Sequence, residues 1–226
     1  MSDKNKRIPK LFRILDITKF PHDMARFVLL PLQLWYRVKK YDCDGGRYTK
    51  RLKGAALVAC NHVSFNDPFI ILCALWYRRL SMLVAEVVMR SPVRNFFMRG
   101  MGCIRIDRSK SDLEAVRNTL DVLEKGRPVL IFPQGCINRD GNADNIKSGG
   151  ILMALQADVP IIPVYTYKRR HWYDRTVIVV GEPINCSDYC AKKMPTINEI
   201  NAITEELHQR LLKCKSAYES INGEKI

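Results

Sequence analysis

Apolar residues along the chain fall into two kinds of run, short continuous blocks and longer stretches at helical spacing, and the two alternate. The blocks predict strands at about 55–60, 80–85, 103–107, 128–132, 160–167 and 175–181. The periodic stretches predict helices near 68–78, 91–100, 111–125, 148–157 and 197–220. Such alternation implies an α/β fold, a single domain with a largely parallel or mixed sheet flanked by helices. With 226 residues, 47% of them hydrophobic, the chain can bury one good-sized core and requires no second domain. It contains no internal repeat and no low-complexity tract.

Residues 1–50 read differently and predict a basic amphipathic helical segment ahead of a domain at 51–226. Residues 1–53 hold fourteen Lys and Arg against five Asp, a net of +9 out of the chain's +14. Large apolar residues are interleaved with this charge, from Ile8, Leu11, Phe12 and Leu15 to Phe27–Leu30, Leu32, Leu34, Trp35 and Tyr36. Arg26, Gln33 and Arg37 share one helical face, and Pro31 is expected to kink or divide the helix. The longest apolar stretch, Phe27 to Leu32, is far short of the roughly twenty residues a bilayer span needs. A segment of this composition lies in the interface of an anionic membrane, with Lys and Arg over the headgroups. A core-packing helix with a solvated basic tail fits the same residues. No secretory signal is expected, so the predicted location is the cytoplasmic face of a membrane, monotopic or peripheral. Nucleic acid is not an expected partner, because the basic excess is concentrated in an apolar-rich region and no nucleic-acid motif is present.

Eight cysteines are scattered without a C-x-x-C pair, which predicts structural thiols in a reducing compartment. Cys186 and Cys190 with His171 or His208 fit no common zinc spacing, so no metal is expected.

Candidate chemistry concentrates in Asn61-His62-Val63-Ser64-Phe65-Asn66-Asp67, which holds one of only four histidines in the chain. The predicted strand before it and the predicted helix after it set this run on a strand-to-helix turn. Within one helix, His62 and Asp67 would be rotated about 140° apart; on a turn, Asp67 can hold one ring nitrogen and leave the other as a general base. The bland alternative is a helix start, with Asp67 as N-cap and Pro68 at the first helical position. Ser64, two residues from His62, is expected to brace the turn.

Three further segments follow in order. Gly102-Cys103-Ile104-Arg105-Ile106-Asp107-Arg108 is a short strand with an Asp-Arg pair. Phe132-Pro133-Gln134-Gly135-Cys136-Ile137-Asn138-Arg139-Asp140-Gly141 follows an apolar strand, and Lys147-Ser148-Gly149 precedes Val159-Pro160-Ile161-Ile162-Pro163-Val164. Together with the N-H-x-S-x-x-D run Asn61–Asp67, these resemble the ordered motifs of the glycerolipid acyltransferases of the 1-acylglycerol-3-phosphate acyltransferase type, over roughly residues 55–165. Two departures stand out: Gln134 replaces the family's Glu, and Ile137 stands where the family has an Arg associated with the acceptor's phosphate.

The resemblance implies transfer of an acyl group from an acyl-CoA or acyl-carrier-protein thioester to the free hydroxyl of a lysophospholipid, with no cofactor. His62 and Asp67 would be catalytic, with Asn61 and Ser64 in support. Arg105, Arg108, Gln134, Gly135, Arg139 and Lys147 would bind substrate, and backbone amides around Gly135 would receive the oxyanion. The acceptor the family implies is 1-acyl-sn-glycerol-3-phosphate, giving phosphatidic acid. The two departures keep open another lyso-lipid acceptor, or a non-catalytic membrane-surface protein on the same fold.

Overall fold

A computed structural model describes residues 30–107, 112–142, 144–168, 173–190 and 195–223. Seven strands form one sheet in the order β1-β7-β6-β2-β5-β3-β4: β1 Lys39–Asp42, β2 Leu57–Cys60, β3 Ser81–Ala85, β4 Cys103–Ile106, β5 Val129–Ile131, β6 Ile161–Thr166 and β7 Val177–Val180. All neighbours are parallel except β6 and β7, so the sheet is mixed, as the sequence pattern predicted. The helices are α1 Leu30–Tyr36, α2 Asp67–Ala74, α3 Pro92–Gly100, α4 Leu113–Glu124, α5 Gly149–Ala157 and α6 Ile197–Asn222, with a 3-10 turn at Glu86–Met89.

Strand β2 shows why the apolar blocks are continuous. Its side chains alternate across the sheet: Ala56, Val58 and Cys60 join a core with Ile70, Ile71, Leu72 and Ala74 of α2. Leu57 and Ala59 join a second core with Leu123 of α4, Ile151 and Ala154 of α5, and Ile203, Leu207 and Leu211 of α6. Both faces are covered, so neither face of the strand tolerates a polar position. β6 is central too, although Pro163 lacks a donor. The proline lies just outside the antiparallel ladder, which pairs Val164–Thr166 with Val180–Ile178, and its carbonyl accepts from the Gly181 amide at 2.9 Å.

Several expectations need correction. Residues 39–42, assigned above to the helical segment 1–50, form strand β1 at the edge of the sheet, parallel to β7. Its sequence, Lys-Lys-Tyr-Asp, is half-buried and carries no apolar block, and lysines are characteristic of edges that resist further pairing. Arg37 does not share a helical face with Gln33. It leaves α1 in the left-handed region at φ 47°, its amide closing on the Gln33 carbonyl at 2.9 Å. Pro31 lies within α1, next to its first described residue. α2 ends at Ala74 rather than 78. The rest of the predicted amphipathic segment, residues 1–29, and the predicted substrate residue Arg108 lie outside the described residues. Among the described residues no helix is long and apolar enough to cross a membrane.

Candidate active site

Parallel strands deliver their C-terminal ends to one edge of the sheet, and the loops after β2 and β5 meet there. β2 is followed by Asn61, whose fully buried amide clamps β6: its Nδ2 donates to the Thr166 carbonyl at 2.8 Å and its Oδ1 accepts from the Thr166 amide at 2.9 Å. The chain then turns through 62–66 into α2. Asp67 is 1% exposed, and its Oδ2 accepts three bonds: from the Val63 amide at 2.7 Å, the Ser64 amide at 2.8 Å and His62 Nδ1 at 2.9 Å. Three donors offset the cost of burying a carboxylate. The helix-start alternative fails on geometry, because Asn66 is the N-cap residue and the Asp67 carboxylate turns back to grip the loop. Ser64 braces the turn as expected, its Oγ accepting from the Asn66 amide at 3.2 Å.

A carboxylate only accepts, so Nδ1 of His62 carries the hydrogen and the neutral ring keeps its lone pair on Nε2. The ring stacks on Phe132 with centroids 4.0 Å apart and planes 22° off parallel. His62 lies in the wall of a cavity of about 750 Å³. Most of that wall is apolar: Phe65, Pro68, Phe69 and Leu72 from the α2 side, Met82–Ala85 from β3, Met98 and Met101 at the end of α3, and Phe132, Cys136 and Ile137 from the loop after β5. Two residues before His62, the Cys60 thiol is pushed well up by burial and then by the Asp67 charge, which leaves it without nucleophilic character at neutral pH.

The loop after β5 holds the histidine by its backbone. The Asn138 amide donates to the His62 carbonyl at 2.7 Å, and the His62 amide donates to Gln134 Oε1 at 3.4 Å. Gln134 itself is 6% exposed, and its Nε2 donates to the carbonyls of Asn142 and Asp144 at 2.5 and 3.2 Å. It is therefore a brace within the loop and takes no part in the cavity wall. A carboxylate there would set an acceptor against two acceptors.

The other predicted substrate residues are dispersed. Gly135 turns at φ 72°, and its amide is already spent on the Phe132 carbonyl at 2.9 Å. The amides that follow, of Cys136 and Ile137, have no acceptor among the described residues, and both residues line the His62 cavity. Lys147 lies against Gly135, its Nζ 3.2 Å from where a Cβ would stand. Both border a neighbouring cleft of about 210 Å³ that also reaches Gly149 and Gly150 at the start of α5 and shares Ile106, Asp107 and Phe132 with the larger cavity. Arg105 points elsewhere, with Nη1 3.9 Å from Glu86 Oε1, in a separate polar groove with Arg99 and Lys125. Arg139 is exposed and outside both walls; its carbonyl accepts from the Tyr167 hydroxyl at 3.3 Å. The one Lys or Arg among the described residues of the larger cavity's wall is Arg90, which motif spacing does not single out. Its only signal is the run Val87–Gly100, which contains three arginines and no acid.

A 1-acyl-sn-glycerol-3-phosphate acyltransferase of Borreliella burgdorferi is 27% identical over 151 residues, covering 66% of this chain and 60% of that protein. A chloroplastic 1-acyl-sn-glycerol-3-phosphate acyltransferase of Brassica napus is 26% identical over 154 residues, covering 65% and 42%. The chain thus spans about half the length of the curated relatives it matches. In fold it is similar to the 1-acyl-sn-glycerophosphate acyltransferase PlsC of Thermotoga maritima, with a TM-score of 0.58 at 18% identity over 90% of this chain and 84% of that one. A family model described as Acyltransferase matches residues 40–167, from β1 to the residue after β6, and the chain belongs to that family.

Proposed function

We propose that the protein moves a fatty acyl group from an acyl thioester, acyl-CoA or acyl-carrier protein, to the free hydroxyl of 1-acyl-sn-glycerol-3-phosphate, giving phosphatidic acid. The observation that carries this is the His62–Asp67 pair, 2.9 Å apart, with Nε2 left free in a large apolar cavity. The names of the two relatives above point to the same reaction.

Nε2 of His62 takes the proton of the acceptor hydroxyl, and the oxygen attacks the thioester carbonyl. The resulting imidazolium is stabilised by Asp67, which also fixes the tautomer. The amides of Cys136 and Ile137 receive the oxyanion, a role the Gly135 amide cannot fill while bonded to Phe132. Collapse breaks the carbon–sulfur bond, and the departing thiolate takes from the imidazolium the proton that the acceptor hydroxyl gave up. No acyl-enzyme is needed, since the Ser64 hydroxyl accepts from Asn66 and the Cys60 thiol stays protonated. The apolar cavity suits an acyl chain, and Lys147 at the start of α5 suits the acceptor's phosphate. The enzyme would work from the cytoplasmic face of an anionic membrane, as a monotopic or peripheral protein.

A second reading, a lyso-lipid with a different headgroup, is favoured by the apolar Ile137 in the cavity wall and by the distance of Arg105 and Arg139 from it. Incubating purified protein with labelled acyl thioester and a panel of lyso-lipids, with products identified by mass, separates the two. Phosphatidic acid from lysophosphatidate, lost in His62→Ala, is the expected result. Turnover of a phosphate-free lyso-lipid with lysophosphatidate inert would select the second reading. No transfer to any acceptor would leave a membrane-surface protein on an acyltransferase fold.

A further inference from the structure

Helix α3 buries none of its residues, yet it carries Val93, Phe96 and Phe97, which are 65, 75 and 63% exposed. At about 100° per residue, Phe97 lies about 40° to one side of Val93 and Phe96 about 60° to the other, so the three make a single stripe. The Phe96 and Phe97 rings meet edge to face with centroids 5.8 Å apart. Arg94 and Arg99 border the stripe, each about 60° beyond its edge. Met98 turns the other way, into the wall of the His62 cavity. The 3-10 turn before the helix extends the pattern, since Val87, 62% exposed, and Arg90 just after the turn also belong to that wall.

On this basis, and resting on the lipid-substrate reading above, we propose that α3 and the turn at 86–89 form a docking face for an anionic lipid surface, which sets the mouth of the cavity against the bilayer. The charge selects the occupant. From Glu86 to Gly100 there are three arginines against one acid, Glu86, which faces Arg105 at 3.9 Å, so a second copy would still set arginine against arginine. An acidic protein would satisfy the arginines and leave the stripe of Val93, Phe96 and Phe97 without a partner. A lipid interface satisfies both: the apolar stripe enters the acyl boundary while arginines on either side reach the headgroups. Because Val87 and Arg90 belong to both the face and the cavity wall, an acyl chain passes from the bilayer to His62 without crossing water.

The test uses the full chain with phosphatidylcholine vesicles, with and without an anionic lipid. Phe96→Trp should gain quenching by brominated lipid beyond wild type. Ile197→Trp, exposed at the start of α6 on the other side of the sheet, should gain none. The double variant Phe96→Ser with Phe97→Ser should bind anionic vesicles at least about tenfold more weakly, since interfacial affinity scales with buried apolar area. It should lose turnover on vesicle-presented acceptor and keep it on detergent-dispersed acceptor. Bound Phe96→Trp without added quenching, or vesicle binding unchanged in the double variant, would overturn the face. So would loss of a self-associated or protein-bound form with vesicle binding intact. Equal loss of turnover in detergent and vesicles would overturn it too, by moving the effect into the site. Added quenching of Phe96→Trp with no acyl transfer from wild type in either presentation would instead sink the catalytic reading and leave the face standing.

Discussion

Two segments border the same cavity and are built on opposite terms. The turn 61–67 spends nearly every polar group internally: Asn61 on Thr166, Asp67 on three donors, the His62 carbonyl on Asn138. The segment 87–100 buries only Met89 and leaves two phenylalanines, two valines and three arginines exposed. A general base must be held to a fraction of an ångström, and a fully bonded turn does that. Contact with a fluid lipid surface rewards exposed apolar area and flanking charge, and asks for no fixed geometry. Substitutions should therefore be costly for rate in the first segment and nearly silent for stability in the second.

The largest expected effect is on turnover. His62→Ala should lower it at least about 10²-fold, while costing about 1–3 kcal/mol of stability through the lost stack on Phe132 and the lost donor to the buried Asp67 carboxylate. Wild-type rate in a well-folded variant would remove His62 from the mechanism. Asp67→Ala should be as damaging to rate and should also destabilise by about 1–3 kcal/mol, because it strands the Val63 and Ser64 amides. Denaturant unfolding checks this, and an unchanged midpoint would mean the turn is held by other contacts.

Next in size is the clamp behind the turn. Asn61→Ala leaves the amide and carbonyl of Thr166 without their partner, and about 1–3 kcal/mol should be lost. A stability change near zero would show that β2 and β6 keep their register without it.

How much of this was readable in the chain depends on the range of the interaction. The central strands and the His62–Asp67 pair were, because burial on both faces writes a continuous apolar run, and a turn of a few residues can join side chains only in a few ways. β1 was not, since an edge strand of Lys-Lys-Tyr-Asp owes its conformation to β7, far along the sequence. The charged lining of the cavity was not either. Spacing locates Arg105 and Gln134 on a strand and a loop but does not say which way the side chains point, and one turned to Glu86 and the other into its own loop. Arg90 was missed because its place in the cavity wall follows from how the turn at 86–89 packs on α3.

Gln134→Glu sharpens that point. By motif alone it restores the family's residue; by geometry it faces a carboxylate to the Asn142 and Asp144 carbonyls and should cost about 1–3 kcal/mol, with no gain on lysophosphatidate. Improved turnover at unchanged stability would show that the loop accommodates either residue. The smallest effect belongs to the lipid-facing segment, where Phe96→Ser should shift stability by no more than about 0.5 kcal/mol. A larger fall in the melting temperature would mean that α3 is packed rather than presented.

The two bonds from the loop after β5 to the His62 backbone carry a consequence for how the acceptor preference can drift or be engineered. Cys136 and Ile137 face the cavity, while Gln134 and Asn138 on either side hold the base by its amide and carbonyl. The positions open to the cavity are thus flanked, in one short stretch, by those that hold the histidine. On the acyl-transfer reading proposed above, exchange of the side chains at 136 and 137 alone would retune the choice of headgroup, whereas transplanting the whole loop, or changing its length by a residue, would move the histidine along with it.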